Sequence, residues 1–140
     1  MSQRCFRRRA LLALLAASLL VATSAWAGTY LNSAALLLSQ ASIEGDFLRA
    51  RINDKELAEL IHRLADARLD AAKNILVPKE VVQAHPHLLL VMENYERAAD
   101  AATRGEGEKF LVYQQRARDE DRTFRGVLKQ FGYALPDLKQ

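Results

Sequence analysis

The sequence predicts an all-α fold, an up-down-up-down four-helix bundle following a cleaved N-terminal signal peptide, and three observations predict it. The first is composition: with six glycines and three prolines in 140 residues, few β-branched side chains and an abundance of Ala, Leu, Arg and Glu, the chain favours helix over strand. The second is period, because apolar residues recur at helical spacing in four separate segments. The third is the leader. Arg4, Arg7, Arg8 and Arg9 precede an apolar run over 10–22, and Ala25-Trp26-Ala27 offers small residues where a signal peptidase needs them.

The apolar run falls short of the roughly 20 residues that span a bilayer, so the expectation is a signal over 1–27 and one domain over 28–140, with no stable membrane span after cleavage. The address implied is export to the periplasm or cell envelope of a bacterium. Arg8-Arg9 does not separate the general from the twin-arginine route, since arginine-rich starts are common to both.

Cutting the leader changes the charge argument. Four of the 20 basic residues and none of the 17 acidic ones lie up to Ala27, so 16 remain against 17 and the formal charge moves from +3 to −1. Nucleic-acid binding loses its electrostatic footprint with them. The single cysteine, Cys5, leaves as well, which excludes disulfides, thiolate metal sites, covalently attached haem and cysteine nucleophiles from the domain.

The elements follow in order. A first helix over 32–51 aligns Leu31, Ala34, Leu38, Ala41, Gly45, Leu48 and Ile52. Asn53 and Glu56 offer a capping box for a second helix reaching about 76, with Leu57, Leu60, Ile61, Leu64, Arg68, Ala71 and Ile75 facing inward. Pro78 suits a first turn, so 79–84 is expected to form a short helical segment, and Pro86 restarts the chain as a third helix over 86–104. That helix aligns Leu88, Met92, Tyr95, Ala99 and Ala102. After Gly105-Glu106-Gly107, a fourth over 108–131 aligns Phe110, Tyr113, Ala117, Asp121, Phe124, Leu128 and Phe131, and Gly132 ends it.

Candidate sites are few. Glu59 and His62 have E-x-x-H spacing, but they project away from the leucine stripe, so a solvated pairing of His62 with Asp66 is expected instead of a di-iron ligand set. His85 and His87 flank Pro86 and form the candidate metal pair. Arg68 and Asp121 occupy core positions at matching depth and are expected to pair across the bundle. On the fourth helix, Arg116 with Glu120, Arg118 with Asp121 and Asp121 with Arg125 read as a salt-bridged outer face.

Apolar surface beyond the needs of one core is the strongest functional signal. Leu36, Ile43 and Phe47 lie opposite the main stripe of the first helix, and Leu89 and Leu90 extend the apolar start of the third around its circumference. These five are the expected partner-binding face, for another protein or a second copy, unless 76–84 or the C-terminal tail covers them. No catalytic constellation or phosphate loop is recognisable, so the reading is a non-enzymatic binding module without cofactor. The alternative is a metal- or haem-binding bundle using His85 and His87, with Met92 as the one methionine of the mature domain.

Overall fold

A computed structural model describes the backbone of residues 3–138 and the side chains of 26–138. The expected export signal up to Ala25 therefore lies outside the described side chains. Four α-helices and no strand are present among the described residues: α1 (Gln3–Ala50), α2 (Lys55–Asn74), α3 (His85–Thr103) and α4 (Gly107–Gln130), with a 3₁₀ turn at Lys79–Val81 before α3. No helix among them is long and apolar enough to cross a membrane.

The helix ends follow local chemistry. Asp54, one residue beyond the expected Asn53, is the N-cap of α2, and its carboxylate accepts from the Leu57 amide at 3.0 Å. The first helical residue is Lys55, so Leu57 is the third and its amide is the orphan donor within reach. Both α3 and α4 stop on a left-handed glycine. The amides of Gly105 and Glu106 return to the carbonyls of Ala102 and Ala101, and those of Gly132 and Tyr133 return to Lys129 and Leu128. This double bond pattern satisfies carbonyls a helix end would leave bare, and it needs a positive φ that glycine adopts without a Cβ clash.

The helices pack antiparallel in chain order, but not as a square. α3 lies closest to α4 and α2 and also packs directly on α1, so α1 and α3 hold the short diagonal. This arrangement explains the apolar start of α3: Leu88, Val91 and Met92 are buried, and Leu89 packs against the same core. The expected stripes of α1 and α3 are observed, apart from a half-buried Ile52 at the exit of α1.

Helix α2 is rotated from expectation by about one residue. Its buried residues are Ala58, Ile61, Ala65, Arg68, Leu69 and Ala72, while Leu60, Leu64 and Ala71 are exposed. The reason lies on α3, which presents Ala98, Ala99, Ala101 and Ala102 to the same cluster. Alanine against alanine lets two backbones approach closely and gain dispersion contacts, whereas leucines in that seam would hold them apart.

The two closing segments seal one end of the bundle. Val81 and Ala84 are fully buried, and Ile75, Val77, Tyr133 and Leu135 pack against the same core.

Candidate functional site

At mid-bundle, three successive residues of α1 address three different helices. Glu44 accepts from the Arg68 guanidinium on α2. Gly45 lies against the Tyr95 ring on α3. Asp46 accepts from Gln114, at 3.2 Å, and from Arg118 on α4. Arg68 and Gln114 are buried, so this belt fixes the relative register of all four helices through groups that have no other way to be satisfied.

The belt corrects the expected ion pair. Arg68 meets Glu44, not Asp121, and Asp121 is held by Arg125 of its own helix at 2.9 Å. The short α1–α3 diagonal stands between α2 and α4, and the rotation of α2 aims Arg68 at α1. The outer face of α4 is rearranged for the same reason. Arg118 turns to Asp46, Glu120 turns to His87, and Arg116 lies over the Tyr113 ring at 5.5 Å, leaving Asp121 with Arg125 as the expected pair that forms.

Each histidine ties α3 to a different neighbour. His85 Nδ1 and the Tyr30 hydroxyl of α1 are 3.1 Å apart, with the rings edge to face. Burial lowers the His85 pKa and raises that of Tyr30, so the neutral imidazole accepts from the phenol. His62 of α2 bonds Glu96 of α3 at 2.8 Å, instead of facing solvent beside Asp66, because the rotation of α2 turns it toward α3. His87 of α3 bonds Glu120 of α4 at 3.1 Å. His85 and His87 thus reach toward different helices, α1 and α4, and no group of three or more His, Cys, Asp or Glu among the described residues is placed to hold a metal ion.

The apolar outer face of α1 remains open. Leu36, Ile43 and Phe47 keep 50%, 52% and 49% of their surface exposed. Arg51 stacks on Phe47 with its guanidinium carbon 5.0 Å from the ring centroid, covering one end of the face. The segments that could have covered these side chains turn elsewhere. Residues 76–84 close the bundle end, and tail residues 135–138 line a cleft of about 370 Å³ together with Ser39, Ile43, Asp121 and Arg125, which leaves Ile43 half exposed. Leu89 and Leu90 separate: Leu89 is half-buried against the core, and Leu90 is 40% exposed on α3.

Two features of this surface escaped the sequence reading. The leucines displaced from the α2 seam, Leu60 and Leu64, add to the exposed apolar area. Trp26, Tyr30, Ile75, Leu76 and Pro78 also line an apolar cleft of about 290 Å³ at the Trp26 end of the bundle. Ala58, Ala65 and Ala72 form a seven-residue small-residue repeat beside the leucines, so α2 carries two competing stripes.

Compared with known proteins, the chain matches no family model, no curated protein and no solved structure.

Proposed function

We propose that the protein is an exported component of a bacterial cell envelope that acts by binding, with the outer face of α1 as its docking surface. One observation carries this reading. Between Trp26 and Ala50, α1 has three charged residues, Glu44, Asp46 and Arg49, and the first two are tied to neighbouring helices, the half-buried Glu44 to Arg68 and the exposed Asp46 to Gln114 and Arg118. Leu36, Ile43 and Phe47 meanwhile face outward. A helix whose acids are engaged by neighbouring helices while three large apolar side chains of its outer face stand half exposed has the pattern of an interface, since solvent gains nothing from those side chains.

Export is supported by the arginines, apolar run and Ala25-Trp26-Ala27 of the leader. The alternative of a metal- or haem-binding bundle on His85 and His87 is not carried further, because the two imidazoles reach toward different helices and no group of three or more His, Cys, Asp or Glu among the described residues is placed to hold a metal ion.

Affinity capture from an envelope fraction tests the reading, using the wild-type chain beside Phe47→Glu. A species retained by wild type and lost from the variant supports docking on α1. Equal retention by both, or none by either, counts against it.

A further inference from the structure

The exposed residues of α1 are spaced as a coiled-coil seam. Ser33, Leu36, Gln40, Ile43, Phe47 and Ala50 follow one another at intervals of three, four, three, four and three, the alternation that keeps a stripe facing a partner helix over successive turns. The α2 stripe has the same alternation through Leu57, Leu60, Leu64, Ala67 and Ala71. Both stripes lie on the outer surface of the α1–α2 pair, with Ile43 at its margin toward α4. Arg68 and Glu44, which bond across α1 and α2, each lie between the buried and the exposed stripe of their own helix, so the exposed stripes sit side by side on the outer surface.

We infer that a second copy of this chain packs on that surface, joining the α1 seams of two subunits, with α2 beside them, about a two-fold axis. This rests on the docking role of α1 and names its partner. Three observations favour self-association. First, a two-fold axis sets a patch against itself, which penalises any surplus of one charge; the seam from Ser33 to Ala50 has none. Second, Gln40 interrupts the apolar run between Leu36 and Ala50, the device by which coiled coils specify register at some expense of stability. Third, Leu36, Ile43, Phe47, Leu60 and Leu64 are each 43–52% exposed. Together they present on the order of 500 Å² of apolar surface, which with a polar rim approaches the roughly 800 Å² per partner of a standard interface.

The basic end of the face sets the orientation. Arg49, Arg51 and Lys55 outnumber Asp54 and Glu56 where α1 passes into α2, a net +1 over 49–56, and Arg51 stacks on the seam residue Phe47. A parallel pairing would bring two such ends together, whereas an antiparallel one places each beside the uncharged Thr29 and Asn32 of the other copy. Antiparallel packing opposes Leu36 to Phe47 of the second copy and Gln40 to Ile43 of the second copy, so every central layer contains a large apolar side chain.

Light scattering on the protein expressed from the full chain, at about 100 μM to detect dissociation constants of that order, reads the mass directly. The expected result is twice the chain mass for wild type and the monomer mass for Ile43→Glu, with unchanged helical circular dichroism in the variant. A monomeric wild type overturns the inference; if envelope capture still depends on Phe47, docking on α1 stands with a different partner. Orientation is read in a Cys5→Ser background. Leu36→Cys/Phe47→Cys should oxidise to a covalent dimer while neither single cysteine does so, and efficient linkage through either single cysteine overturns the antiparallel arrangement.

Discussion

Gly45 packs directly beneath the ring of Tyr95: a β-carbon at Gly45 would stand 2.9 Å from Tyr95 Cε1 and 3.3 Å from Gln114 Nε2. The absence of a side chain there lets α1 approach α3 on the short diagonal, and the neighbouring Glu44 and Asp46 reach α2 and α4 from that position.

Gly45→Ala sets two effects against each other. Alanine gains about 1 kcal/mol of helix propensity, but overpacking a filled core costs about 1 to 3 kcal/mol. Tyr95 is itself buried, so we expect the packing loss to win by about 1 kcal/mol. Urea denaturation measures it, and a midpoint equal to or above wild type would show that the ring yields freely.

The Arg68–Glu44 pair should respond unequally to its two deletions. Glu44→Ala strands a buried guanidinium and is expected to cost about 3 kcal/mol. Arg68→Met fills the site with an apolar chain and leaves a partly exposed carboxylate that water can reach, so its cost should be about 1 kcal/mol or less. Asp121→Lys removes an exposed pair within one helix and should cost about 0.5 kcal/mol. Equal melting shifts for Glu44→Ala and Asp121→Lys would contradict this ordering.

Acid should weaken the Tyr30–His85 latch. Burial holds the His85 pKa below its ordinary value of 6.5, so the folded protein takes up that proton at lower pH than the unfolded chain does. The contribution of His85 is fully present above about pH 6.5 and is lost as pH falls through the folded value. Replacing His85 with Phe should flatten the decline in melting temperature between about pH 7 and pH 5. A decline as steep as that of wild type would place the acid sensitivity elsewhere.

Two glycines of the same region should have opposite signs. Gly132, at φ +80°, closes α4, and Gly132→Ala should destabilise by about 1 kcal/mol because alanine resists that conformation. Gly126 lies inside α4 with open space around its α-carbon, and Gly126→Ala should stabilise by up to about 1 kcal/mol. Thermal melts of the two single variants settle the signs.

The helices were legible where one face is plainly apolar, as in α3 with Leu88, Met92 and Tyr95. The closure at Gly132 was legible because it depends on the chain's own backbone. Helix α2 was not, since it offers a leucine stripe and an alanine stripe, and the choice between them is made by the alanines of α3. Pairings across helices were least legible. His62 with Glu96 and Arg68 with Glu44 depend on rotation about each helix axis, a quantity that one helix's own pattern does not contain. The exposed residues Leu36, Ile43 and Phe47 were legible because they break the expected polar face of α1.

Ala27 is 2% exposed within the uninterrupted α1 helix. A peptidase acting after Ala27 needs that bond uncoiled and accessible. The packed state withholds the bond, so cutting and folding have a required order in time. A chain severed during passage can close its bundle afterwards, while one that closes first shields its scissile bond and retains its leader. Under the proposed cleavage after Ala27, the burial of that one alanine sets a deadline for removal of the leader.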